Sequence, residues 1–216
     1  MALRMKNTST ELAKYLLQIK AIKLSPQNPF TWASGIKSPI YCDNRIILSH
    51  PKVRTFVINA MVEKAKNFAP FDIIAGVATA GIPHGALLAN ALNLPFIYIR
   101  GAAKGHGRQN RIEGELHGTE RVLVIEDLIS TGGSCLEAVK VLKDKGCSVT
   151  GVMAIFSYGF SRAVDAFNTE NCRFETLTNY NILAEEAVKS GYIQSEDHLS
   201  LQNWRKSPET WLQTSS

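Results

Sequence analysis

The sequence predicts an α/β fold, a central and mainly parallel sheet flanked by helices, and three observations carry that prediction. Short apolar runs of strand length alternate with longer segments of helical periodicity, the pattern of strands joined by helical crossovers. FDIIAG, in particular, is apolar throughout and reads as a buried strand. No repeat, low-complexity tract or linker divides the chain, so residues 1–216 are expected to form a single domain.

The elements follow in order. Ser9 or Thr10 is expected to cap a first helix with Leu12, Tyr15, Leu16 and Ile19 on one face. FTWASGIKSPIYCDNR, residues 30–45, is punctuated by Gly, Pro and Ser, with a short strand at Ile40 to Cys42. A helix runs from Pro51 to about Asn67, with Val53, Phe56, Val57, Ala60, Met61 and Lys64 at helical spacing. FDIIAG (strand), IPHGALLANAL (helix) and LPFIYIR (strand) come next. RGAAKGHGRQNRIEGELHG, about 100–118, is a polar, Gly-rich loop. RVLVIED is a strand, SCLEAVKVLKDKG a helix ending at Gly146, and SVTGVMAIF a strand. Arg173 to Leu177 adds a late strand, and the tail around SEDHLSLQNW reads as an ordinary surface helix.

Composition narrows the function classes. The chain is 45% hydrophobic and 20% charged with net charge +5, compatible with an anionic small substrate or with nucleic acid. No apolar run is long enough to span a bilayer. The first ten residues hold no apolar signal core. Cys42, Cys135, Cys147 and Cys172 are scattered without a CxxC pair. They read as free thiols in a reducing cytoplasm, not as a disulfide frame or zinc site.

The chemistry concentrates in VLVIEDLISTGGSC, Val122 to Cys135. In an open α/β sheet, ligands bind beyond the carboxyl ends of the strands. Glu126 and Asp127 stand at such an end, followed by a small-residue loop into a helix. Gly132 and Gly133 let the backbone approach a ligand closely, and Ser130, Thr131 and Ser134 supply hydroxyl donors. With the positive end of the helix dipole, this makes a phosphate cradle. The two acids would repel a phosphate and suit hydroxyls or a developing cation. A sugar phosphate offers both, so acids and loop hold opposite ends of one ligand. The plainer alternative is a solvated acidic strand end before a Gly-rich turn. GxxxxGK[ST] and GxGxxG are both absent, which excludes a P-loop NTPase and the dinucleotide fingerprint.

VLVIEDLISTGGS closely resembles the 5-phosphoribosyl 1-diphosphate (PRPP) motif of the type I phosphoribosyltransferases. Phe30 to Arg45 resembles the hood over the base in the orotate phosphoribosyltransferase family, Arg100 to Gly107 its mobile catalytic loop, and Gly76 to Ala89 its pyrophosphate segment. The resemblance implies the type I fold, with a small N-terminal hood built largely from about 1–45. It implies transfer of ribose 5-phosphate from PRPP to orotate, giving orotidine 5'-monophosphate and pyrophosphate in pyrimidine biosynthesis. By position, Glu126 and Asp127 bind the ribose. Residues Leu128, Ile129, Ser130, Thr131, Gly132, Gly133 and Ser134 complete the PRPP site, and Ser130 also nears orotate. Arg100, Lys104 and His106 reach the pyrophosphate and, with Asp127, form the catalytic group. Lys37 is a further candidate for orotate. The resemblance also implies Mg2+ as cofactor, with no metal ligand directly from the protein, and a homodimer whose sites are shared between subunits.

Four positions depart from patterns seen in relatives. Ala33 and Gly101 stand where some carry lysines, Thr79-Ala80 where some have Tyr-Lys, and Ser157-Tyr158-Gly159 where some place an arginine. Each loss removes positive charge around the ligand. Lys104 and Arg100 suit a leaving pyrophosphate as permanent donors, and His106 as a tunable one. The glycines at 101, 105, 107 and 114, with Arg108 and Arg111, fit a lid drawn onto a polyanion. His50, His84, His117 and His198 read as surface or structural. Trp32 covers the base or packs, and Tyr41, Asp43 and Arg45 serve structure or dimer contacts. The alternatives are a purine phosphoribosyltransferase, which the hood argues against, and a PRPP-sensing nucleic-acid regulator, which lacks a helix-turn-helix here. A fused pyrimidine enzyme is a further one, for which the chain is short. The expectation is no nucleic-acid and no membrane partner.

Overall fold

A computed structural model describes residues 2–32, 35–101 and 111–211. The chain opens with helix α1 (Ala2–Gln18), then strands β1 (Ile22–Leu24), β2 (Phe30–Thr31), β3 (Lys37–Ser38) and β4 (Ile40–Cys42). A 3-10 turn, Asn44–Ser49, leads into α2 (Pro51–Ala65). The body follows as β5 (Ile73–Val77), α3 (Gly81–Leu92), β6 (Phe96–Ile99), β7 (Ile112–Glu113), β8 (Arg121–Ile129) and α4 (Gly133–Asp144). It closes with β9 (Ser148–Ser157), α5 (Ser161–Thr169), β10 (Phe174–Asn179), α6 (Tyr180–Lys189) and α7 (Asp197–Lys206).

Six strands form one sheet in the order β10-β9-β8-β5-β6-β7. Every pairing is parallel except β6 with β7. The chain winds outward one way from β5 through α3 to β6, and the other way from β8 through β9 to β10. The winding reverses between β5 and β8, and a crevice opens at such a reversal, at the carboxyl ends of the strands. β8 alternates between two cores: Leu123 and Ile125 join one with α1, α2, α3 and α6, while Val122 and Val124 join the other with α4 and α5. Burial on both faces explains why its sequence is a continuous apolar run.

Local chemistry sets the helix ends. Pro51 opens α2 at its first position, where the missing N–H costs nothing. Asn93 closes α3 in the left-handed conformation.

Several expectations need correction. Ser9 caps nothing: α1 begins seven residues earlier, and the buried Ser9 hydroxyl donates to the Leu177 carbonyl at 2.7 Å. α1 packs on α6 and β10, so it belongs to the body. The pairs β1–β4 and β2–β3 form small sheets of their own, while Ile22, Leu24 and Ile40 are buried in the core shared with α1, α2, α3 and α6. β1 and the brief β7 were not anticipated, nor were α5 and α6. The tail helix α7 is no ordinary surface helix, because Leu201 and Trp204 are fully buried. β8 runs two residues past the acids, pairing Leu128 with Phe156 and Ile129 with Ser157. The Ile129 side chain therefore lies in the core, leaving its backbone alone near the loop.

Candidate active site

The acids and the glycine loop meet at the reversal point. Glu126 is buried, and its Oε1 accepts from the Asp127 N–H at 3.0 Å. Burial first, and the neighbouring Asp127 charge second, push the Glu126 carboxyl up to about 9. Burial also raises Asp127. Two carboxyls in one dry corner cannot both ionise cheaply, so the pair keeps a proton at neutral pH. It then offers both a donor and acceptors to vicinal hydroxyls.

Beyond Ile129 the loop turns at Gly132, whose φ of 85° is left-handed, and α4 starts at Gly133 with no side chain capping it. An uncapped helix start presents its first N–H groups and positive dipole end to an anion. Thr131, Gly133 and Ser134 are exposed there. Cys135, one residue further, is buried with Sγ 3.8 Å from Glu126 Oε2; burial and the Glu126 charge push its thiol up. It is a packed thiol and no nucleophile.

The segment after β5 forms the facing wall, and its Ala78–Thr79 peptide is cis. α3 presses closely onto β8: a Cβ at Gly81 would run into the Ile125 carbonyl, beside the Glu126 Cα. Only glycine lets this wall come so near the acid pair.

The hood is tied to the same corner. The buried Asn44 donates from Nδ2 to the Asp127 carbonyl at 2.9 Å. Its Oδ1 is buried without a hydrogen-bond partner, as are both nitrogens of His84 on α3. The Asn44 backbone lies beside the His84 ring, but the imidazole makes no hydrogen bond of normal geometry, and burial lowers its pKa to about 4. His84 is thus a neutral core residue.

Aromatic rings bridge hood and sheet. Trp32 packs 5.6 Å from Tyr158 and 5.7 Å from Trp204, and its Nε1 donates to the Ile40 carbonyl. Trp204 also meets Tyr158, Phe160 and Tyr180. The Tyr158 N–H donates to the Ile129 carbonyl at 3.2 Å, which places the Ser157-Tyr158-Gly159 turn against the start of the loop holding Ser130.

The other expected residues divide. Lys37 is exposed on the β2–β3 hairpin, with Nζ donating to Thr31 Oγ1 at 2.9 Å. Arg100 pairs with Glu113 at 3.2 Å. Arg111, expected to grip a polyanion, instead bonds the Arg100 carbonyl and Glu137 of α4, so it braces the loop's root. Lys104, His106 and Arg108 lie outside the described residues, as does Ala33. Asp43 and Arg45 form an ion pair that lowers the Asp43 pKa through the Arg45 hydrogen bond. The sequence does not mark Asn44 and Trp204 for the site, because burial of one amide or ring leaves no periodic trace, and it marks Tyr158 only as a position where some relatives place an arginine.

No group of three or more His, Cys, Asp or Glu side chains converges among the described residues. Two adjacent carboxyls without a cage fit a hard cation that draws most of its ligands from a phosphate-bearing substrate and water.

Comparison with known proteins agrees with this geometry. A family model described as a phosphoribosyl transferase domain matches residues 44–189. An orotate phosphoribosyltransferase from Listeria innocua is 51% identical over 202 residues, covering 93% of this chain and 97% of that one. The solved orotate phosphoribosyltransferase from Aeropyrum pernix superposes with a TM-score of 0.75 at 28% identity, over 84% of this chain and 99% of that one. The Leishmania donovani UMP synthase superposes with a TM-score of 0.79 at 31% identity; it covers 94% of this chain, which spans 43% of that longer protein.

Proposed function

The chain belongs to the orotate phosphoribosyltransferases, and from that premise we propose how its own residues divide the work. The reaction joins orotate to PRPP and releases pyrophosphate. The bond between the ribose anomeric carbon and the diphosphate oxygen breaks, its electron pair leaving with pyrophosphate. The base nitrogen of orotate, having given up its proton, bonds to that carbon.

The observation that carries the reading is the meeting of a buried Glu126 and a part-buried Asp127 with an uncapped, glycine-started helix at one reversal point. The loop from Ser130 to Ser134 takes the 5-phosphate. Glu126 and Asp127 take the ribose hydroxyls and favour positive charge on the sugar as the bond breaks. The Tyr158 turn and the hood enclose the base. Ser130 and Lys37 attend it, the latter by releasing Thr31. Arg100, Lys104 and His106 serve the leaving pyrophosphate. A magnesium ion carried in with the diphosphate would supply further positive charge to the leaving group.

Homodimerisation with shared sites belongs to this reading. The strands β6 and β7 that flank residues 102–110 form the edge of the sheet, with β6 two strands from the β8 that carries Glu126. A cytoplasmic setting is consistent with four free cysteines. Among the described residues no helix is long and apolar enough to cross a membrane.

The test mixes protein, PRPP, orotate and magnesium and follows loss of orotate's ultraviolet absorbance, with Lys104→Ala alongside. Magnesium-dependent loss that falls about 10²-fold or more in the variant supports the assignment. PRPP binding without orotate consumption would sink it.

A further inference from the structure

We propose that Arg205, from helix α7, is a positioning residue for orotate: it holds the Ser157-Tyr158-Gly159 turn in the shape that forms the base-facing wall. The inference rests on the reading of that turn as part of the orotate site.

Arg205 Nη1 donates to the Gly159 carbonyl at 3.2 Å. The same Nη1 lies 3.4 Å from where a Cβ on Gly159 would stand. The guanidinium therefore covers the place a side chain at residue 159 would occupy. Gly159 itself has a φ of 69°, so the turn is left-handed at that point. Behind it is a cavity of about 220 Å³, bordered by Ser157, Tyr158, Gly159, Val164, Asn179 and Arg205. Tyr158 is itself buried among Trp32, Phe156, Phe160 and Trp204, and the Gly159 N–H donates to Ser157 Oγ at 3.0 Å; Gly159, by contrast, borders the cavity. Helix α7 holds the turn in two ways. One is the Arg205 hydrogen bond. The other is Trp204, the preceding residue, whose buried ring stands 5.7 Å from Tyr158.

The turn's other side meets the ligand. Tyr158 bonds back to Ile129, next to Ser130, and stacks on Trp32 of the hood. Releasing Gly159 lets the turn settle into the cavity and draws Tyr158 away from the hood. The acid pair lies on β8 and the glycines open α4, so the turn reaches them only through the Tyr158–Ile129 bond at the start of the loop. The effect should then fall on orotate and spare PRPP.

The experiment compares steady-state kinetics of the full-length wild type, Arg205→Ala and Arg205→Lys, with melting curves for each. Loss of a charged donor's hydrogen bond should raise KM for orotate in Arg205→Ala by roughly 10-fold, with KM for PRPP changed less than about twofold. Arg205→Lys should fall between. Millimolar ethylguanidinium, small enough for the vacated space, should restore the Arg205→Ala constant toward wild type. Equal changes in both KM values, no change, or a loss that ethylguanidinium leaves untouched would overturn the proposal. Should Arg205→Ala not fold, the same split in Arg205→Lys decides. A wild type that never consumes orotate would defeat the underlying assignment instead, so the two failures are distinct.

Discussion

Asn44 in the hood's exit donates a 2.9 Å hydrogen bond to the backbone carbonyl of Asp127, 83 residues away. The bond fixes the residue carrying the carboxylate proposed to bind the ribose relative to the segment that leaves β4. Asn44→Ala leaves that carbonyl without its donor in a buried setting, a change worth about 1–3 kcal/mol. PRPP affinity, measured by calorimetric titration, should fall by roughly 10- to 100-fold if the loss is felt in the bound state. Unaltered PRPP affinity in a folded variant would show that the bond serves the fold alone.

Glu126 should make stability fall as pH rises. Its carboxyl titrates near 4.5 when unfolded and near 9 when folded. Between those values the folded chain holds a proton that the unfolded chain has lost. The contribution is fully present below pH 4.5 and declines by about 1.4 kcal/mol per pH unit above it until the folded pKa is passed. Chemical denaturation from pH 7 to 9 should show the slope in the wild type and a flatter profile in Glu126→Gln. A slope that survives the substitution counts against the assignment.

His84 has the opposite sign. Its folded pKa lies near 4 against 6.5 unfolded, so the unfolded chain binds the extra proton in that window. Stability is complete above pH 6.5 and is lost as pH falls toward 4. His84→Leu removes two ring nitrogens that lack hydrogen bonds, so it should cost less than about 1–2 kcal/mol at pH 7 and should abolish the acid-side slope. From pH 4.5 to 6.5 the His84 and Glu126 slopes oppose each other in the wild type. Each single variant should therefore unmask the other's slope. Parallel wild-type and variant curves would refute the pairing.

The loop proposed to take the 5-phosphate offers a contrast of neighbouring glycines. Gly132 has a φ of 85°, and a Cβ there would stand 2.8 Å from the Phe167 ring. Gly132→Ala should destabilise by about 1–3 kcal/mol through strain and overpacking and weaken PRPP binding. At Gly133 a Cβ meets nothing nearer than Thr131 Oγ1 at 4.0 Å. Gly133→Ala should thus keep the wild-type melting temperature. Equal melting losses in both would mean that sterics around Phe167 do not set the loop.

Much of this was legible in the sequence where a pattern repeats. Alternating strand and helix periodicity gave the parallel sheet, and IEDLISTGGS after an apolar run marked the ligand end of β8. What escaped has no period. The hydroxyl of Ser9 reads as a cap because capping and a long-range bond to Leu177 use the same side chain. β1 and β7 hold three and two residues, too few to show alternation. α7 reads as a polar tail, since Leu201 and Trp204 are its only buried apolar residues and the third buried position is Asp197. Arg111 carries the same charge whether it grips a substrate or braces Glu137.

The rings of Trp32 and Trp204 stand at 89° to each other, one in the hood and one in the last helix. Coupled indole transitions at that separation give near-ultraviolet circular dichroism that depends on their mutual angle. The molecule thereby carries an optical gauge of its own hood, readable without a label while substrates are added.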